Sequence, residues 1–142
     1  MTSIRVREAN WAGDREALQA IRREVFMEEQ GVPAELEWDG LDATARHLLA
    51  ETADGTPIGC ARLLDDGHLG RMAVLATHRG RGAGTALLAT ALAIYRDAGL
   101  SEVWLDAQVH AVPFYTRAGF TAHGAAFMDA GIPHRRMQLS LT

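Results

Sequence analysis

The chain predicts an α/β fold of the α+β kind, with elements in the order strand, helix, three strands, helix, strand, helix, two strands. Three observations carry that prediction. An early apolar stripe repeats at helical spacing, two Asp-Gly turns separate short strand-like runs in the middle, and a glycine-rich turn joins an apolar strand to a second helix.

Ser3 to Arg7 alternates as a strand, with Ile4 and Val6 on one face. From Asp14 to Glu29, Leu18, Ile21, Val25 and Phe26 recur three and four residues apart, which predicts a helix with Asp14 as a candidate cap. Gln30 to Thr44 has no period. It holds Pro33 and the acids Glu35, Glu37, Asp39 and Asp42, and reads as a long functional loop with room for a short helix. Arg46 to Glu51 and Pro57 to Leu64 form a hairpin around Asp54-Gly55, and Asp65-Asp66-Gly67 turns the chain into a strand from His68 to Leu75. Gly84 to Ala98 is a helix carrying Leu88, Leu92 and Tyr95 on one face, with Gly99 at its end. Val103-Trp104-Leu105 is a short strand, Val112 to Ala118 one or two helical turns, and strands near Phe120 to Ala125 and Arg136 to Leu141 close the sheet.

The turn is Arg79-Gly80-Arg81-Gly82-Ala83-Gly84-Thr85. Its glycines let backbone N–H groups approach an anion at a helix start, and its arginines add charge-assisted contacts, so it reads as a pyrophosphate cradle. A nucleotide P-loop needs a lysine after the last glycine, and the chain has no lysine. A dinucleotide turn needs G-x-G-x-x-G/A, but counting from Gly80 or Gly82 the last position falls on Thr85 or Leu87. Arg-x-x-Gly-x-Gly at Arg79, Gly82 and Gly84 is what remains.

At 142 residues the chain suits one domain, residues 1–142, and no stretch is long and apolar enough to cross a membrane. The lack of a basic start followed by an apolar run predicts a cytoplasmic protein. A net charge of −4 speaks against a nucleic-acid partner. The single cysteine, Cys60, sits in a strand-like run and reads as a small buried hydrophobe rather than a nucleophile. Six histidines without paired spacing indicate no metal site.

The Arg79 to Gly84 pattern resembles the acetyl-CoA loop of the GNAT superfamily of N-acetyltransferases. About thirty residues downstream, Phe114-Tyr115-Thr116-Arg117-Ala118-Gly119-Phe120 resembles that family's F-Y-x-x-x-G-F segment. Arg22-x-x-Val25-Phe26-x-x-Glu29-Gln30, Asp39, Asp42, His47, Ala107-Gln108-x-His110 and Gly131-Ile132-Pro133-His134 look like its bacterial ElaA-like and YjcF-like branch. The resemblance covers nearly the whole chain. It implies a mixed, mostly antiparallel sheet of about six or seven strands flanked by helices, with the fourth and fifth strands splayed around the donor.

It also implies roles. Acetyl-CoA would pair with the strand edge at Met72, Ala73 and Val74, and its pyrophosphate would rest on Arg79, Gly80, Arg81, Gly82, Ala83, Gly84 and Thr85. Phe114 and Gln108 would also touch the donor; Gln108 stands where many members have asparagine. A backbone N–H near Met72 or Ala73 would stabilise the oxyanion, and Tyr115 would protonate the leaving thiolate. Glu29, His47 and His134 are the candidates for general base, and the acids of the Gln30 to Thr44 loop either line the acceptor cleft or are solvated. The acceptor is an amine of unspecified identity, no metal takes part, and pairing with a second copy is left open. A non-catalytic acyl-CoA sensor on the same fold is the alternative.

Overall fold

The computed structural model describes residues 3–142. Seven strands fall into two antiparallel sheets. In the first, β1 (Ile4–Ala9), β2 (Arg46–Thr52), β3 (Pro57–Leu63) and β4 (Leu69–Val74) lie side by side in chain order. The second places β7 (Ile132–Ser140) between β5 (Glu102–Gln108) and β6 (Thr121–Asp129).

The sheets are joined where β4 and β5 begin. His68 and Trp104 form a parallel bridge, the Trp104 N–H donates to the Gly67 carbonyl at 3.0 Å, and the His68 ring stacks on the indole at 3.8 Å. Gly67 is required twice over, because its φ is +87° and a Cβ there would stand 2.7 Å from the Glu102 carbonyl oxygen. Beyond this point β4 and β5 separate.

Helices cover both faces of the first sheet. α1 (Trp11–Arg22), continued by a π-helical stretch Arg23–Glu29, sets Leu18, Ile21 and Val25 on Leu49, Cys60 and Ala73. α3 (Ala83–Asp97) sets Leu87, Leu88 and Ala91 on Leu48, Ile58 and Leu63, and the same core continues into Val103, Leu105 and Met137 of the second sheet. The alternation along β2 explains the division: Leu48 and Leu49 point to opposite faces and join different cores. α2 (Ala34–Glu37) and α4 (Val112–Arg117) are short.

Four expectations need amendment. Asn10, not Asp14, caps α1, accepting from the N–H groups of Ala12 and Gly13; Asp14, one turn into the helix, instead accepts the Asn10 N–H at 2.9 Å. The helix runs to Glu29 as expected but changes to π geometry at Arg23. β6 and β7 extend to a turn at Ala130-Gly131, both at positive φ, well past the expected ends. Of the acids of the long loop, Glu37 and Asp42 are buried, while Glu35 and Asp39 are exposed.

Candidate active site

The splay of β4 from β5 opens a cleft of about 820 Å³. Its walls are β4 from His68 to Val74 and β5 from Leu105 to Gln108; Tyr115 also lines it, as do Val25 to Val32 and the β6–β7 turn.

Of the glycine turn, Arg79 lines the cleft, and Gly80 to Thr85 follow it outside the lining. Gly80 and Gly82 have φ of +78° and +90°, and Gly82 is the residue before α3. No side chain caps that helix; Ala86 N–H returns to the Gly82 carbonyl, so the N–H groups of Ala83, Gly84 and Thr85 have no carbonyl within the helix. These donors, together with the positive end of a 15-residue helix, form an anion cradle that suits a pyrophosphate. Phe114 lies beneath the turn, where a Cβ on Gly84 would meet its ring at 3.5 Å. Arg79 does not hang free. Its Nε donates to the Val74 carbonyl at 2.9 Å, and its two terminal nitrogens donate to Glu29 at 2.6 and 2.7 Å.

Midway along β4 the ladder breaks. Cys60 pairs with Ala73 and Arg62 with Gly70, so Arg71 and Met72 together face the single residue Ala61. Arg71 takes a φ of +48°, costly for a residue with a side chain, and the surroundings hold it there. Its guanidinium donates to the carbonyls of Leu36 and Glu37 and pairs with Glu37 and Asp39.

That pairing belongs to a larger cluster. Arg22, 1% exposed, bonds Glu37 at 2.7 Å and Asp42 at 2.7 Å, while Arg62 bonds Asp39 and Asp42. The Trp38 ring stacks under Arg22. Burial pushes the Asp39 carboxyl up, but hydrogen bonds and charge from Arg62 and Arg71 outweigh it and hold the group at about 2. The acidic loop is therefore neutralised by arginines of α1, β3 and β4.

The three base candidates part company. His47 lies outside the cleft, 2% exposed and stacked on Trp11, with its Nε2–H donating to the Asp42 carbonyl; burial pushes its pKa down. Glu29 lines the cleft, but the Arg79 hydrogen bonds hold its carboxyl below the usual range, which weakens it as a proton acceptor. His134 lines the cleft with Nδ1–H donating to the Ile132 carbonyl at 2.7 Å, a tautomer that leaves the Nε2 lone pair available. Tyr115 lines the cleft too, packed edge-on against Phe114 and Phe120. Burial pushes its pKa up and keeps the phenol protonated.

Gln108 donates to the Gln30 side chain at 2.8 Å, tying β5 to the end of the π-helical stretch. Cys60 is buried between β3 and α1, its thiol pushed up to about 12 by burial. Leu36, Arg71 and Asp129, none of them a site residue expected from the sequence, line the cleft together with Gln30 of the branch motif. Of the three, only Asp129 carried a signal, standing before Ala130-Gly131 at a turn.

Fold and cleft together define an N-acetyltransferase of the GNAT class. The chain belongs to that family: the model of the acetyltransferase (GNAT) domain matches residues 11–141. Within the family it falls in the branch of YjcF and ElaA. It is 39% identical over 121 residues to YjcF of Bacillus subtilis, an uncharacterized N-acetyltransferase, covering 82% of this chain and 86% of the relative. The crystal structure of an acyl-CoA N-acyltransferase from Pseudomonas aeruginosa superposes with a TM-score of 0.84 at 34% identity, covering 96% of this chain and 99% of the other. Escherichia coli ElaA superposes with a TM-score of 0.84 at 29% identity over the same shares.

Proposed function

We propose that the protein transfers the acetyl group of acetyl-CoA directly to a primary amine within a ternary complex. The observation that carries this reading is the order of groups along one cleft: uncapped glycine turn, exposed β4 edge, backbone bulge, then Tyr115 and His134 facing the same space.

The pyrophosphate rests on the N–H groups of Ala83, Gly84 and Thr85, with Arg79 and Arg81 beside it, and Gly80 and Gly82 supply the turn. The pantetheine arm runs along Met72, Ala73 and Val74 as an added strand, and Gln108 faces it from β5. His134 Nε2 takes a proton from the ammonium, and the freed amine attacks the thioester carbon. The new N–C bond forms as the C–S bond breaks. A β4 N–H at Met72 or Ala73, re-aimed by the bulge, stabilises the developing oxyanion, which lowers the barrier by about 3 kcal/mol for one fixed donor. Tyr115 O–H delivers its proton to the departing sulfur, and the second proton lost from the nitrogen as the amide forms passes through solvent to the phenolate.

Thiol release over a panel of amines tests this. Intersecting initial-velocity lines, with turnover kept in Cys60→Ala, support direct transfer. Acetyl-CoA bound in calorimetry without thiol release from any amine makes the protein a sensor instead.

A further inference from the structure

Resting on the transferase reading above, we infer that the acceptor is a monoamine on an apolar body, such as an arylalkyl or alkyl amine, rather than a polyamine, an amino sugar or an amino acid.

The charges along the cleft carry the argument. Glu29 is bonded to Arg79 at the glycine turn, Glu37 to Arg22 and Arg71, and Asp106 to Arg136. Of the carboxylates lining the cleft, Asp129 alone among the described residues has no cationic partner. A site for a polycation needs several free carboxylates. This one offers a single carboxylate, at the exposed rim of the β6–β7 hairpin. The carboxylate of an amino acid would need a free cation instead, and both cleft arginines, Arg71 and Arg79, are already bonded to acids.

Apolar side chains stand among the polar groups of the surrounding walls. Phe127 pairs with His134 across β6 and β7 and stacks on its ring at 6.0 Å, and Asp129 pairs with Ile132, so Phe127 lies on the same side of the hairpin as the cleft-lining Asp129, Ile132 and His134. Across from them Val32 and Leu36 line the cleft; Leu36 is 51% exposed and Phe127 37%, which is surface a ligand can cover. A protonated amine drawn in by Asp129 would lay its body between Leu36 and Phe127 and bring its nitrogen to His134.

The test compares kcat/KM for phenethylamine, hexylamine, methylamine, spermidine, kanamycin and lysine by thiol release, with acetyl-CoA binding followed by calorimetry. Phenethylamine or hexylamine should lead. Leu36→Ser should cut kcat/KM for phenethylamine about tenfold more than for methylamine, because only the larger body loses contact. Asp129→Asn should raise KM for phenethylamine about fivefold while moving kcat far less, as expected for one rim charge. If spermidine, kanamycin or lysine leads, or if Leu36→Ser lowers methylamine and phenethylamine alike, the inference fails and the transferase stands. If acetyl-CoA binds and no amine reacts, the transferase reading fails and takes the inference with it.

Discussion

Glu29 and Arg79, fifty residues apart in sequence, meet in a two-pronged ion pair across the donor end of the cleft. On the proposed reading the same guanidinium serves the pyrophosphate, so the carboxylate would compete with the donor for it. Glu29→Gln should tighten acetyl-CoA binding about threefold, because this pair is about two-fifths exposed and worth a modest amount. Arg79→Gln should weaken binding about tenfold. Calorimetry measures both, and weaker binding in Glu29→Gln would show that the acid helps hold the donor.

Tyr115→Phe should lower kcat about a hundredfold with acetyl-CoA affinity unchanged. Its pKa is raised by burial above the ordinary 10, so the phenol stays an acid throughout the alkaline range. A pH profile of kcat in the wild type should therefore show no loss of activity up to about pH 10 from this group.

His134→Gln should lower kcat about a hundredfold while the fold and acetyl-CoA binding remain. Separate measurement of kcat and KM with a single amine distinguishes a lost base from a lost acceptor contact. An equal loss in His47→Gln would point to a different proton path, since His47 lies outside the cleft.

Stability should fall on acidification in two stages. His47 and Asp39 both have depressed folded pKa values, so the unfolded chain binds more protons and folding is favoured above the ordinary values. As pH drops below 6.5 the His47 contribution goes first, and between 3.8 and about 2 that of Asp39 follows. The Asp39 stage amounts to about 1–2 kcal/mol after solvent screening. Urea melts at several pH values should show the first stage shrink in His47→Gln and vanish only when His68, which burial also depresses, is replaced as well.

Arg22→Met should cost about 3 kcal/mol, because it leaves Glu37 and Asp42 buried with fewer partners. Thermal unfolding measures it. An unchanged midpoint would mean that Arg62 and Arg71 carry the cluster by themselves.

Elements with a short-range signature were readable from the sequence. The alternation in β1, the Asp-Gly turns that bound β2 and β3, the helical stripe from Leu18 to Phe26 and the glycines before α3 each express a local rule, and the structure places those elements as read. The Phe114-Tyr115 and Gly119-Phe120 motif located α4 and the family. What escaped depends on partners distant in sequence. The bulge at Arg71 exists only relative to β3, and the ion pairing of Glu37, Asp39 and Asp42 depends on arginines up to 34 residues away. The hairpin beyond Ala125 escaped for another reason: its β6 strand is mostly exposed and lacks the alternation by which strands are recognised.

Arg71 sits in the bulge and is bonded to the Leu36 and Glu37 carbonyls. The β4 bulge and the 34–42 loop thus form a single mechanical part, which on the proposed reading faces the thioester on one side and the acceptor on the other. Recutting the 34–42 segment to admit a new amine would therefore also disturb the geometry at the reacting carbon. Change of specificity is freer on the opposite wall, where the β6–β7 turn can vary in length and composition without pulling on β4.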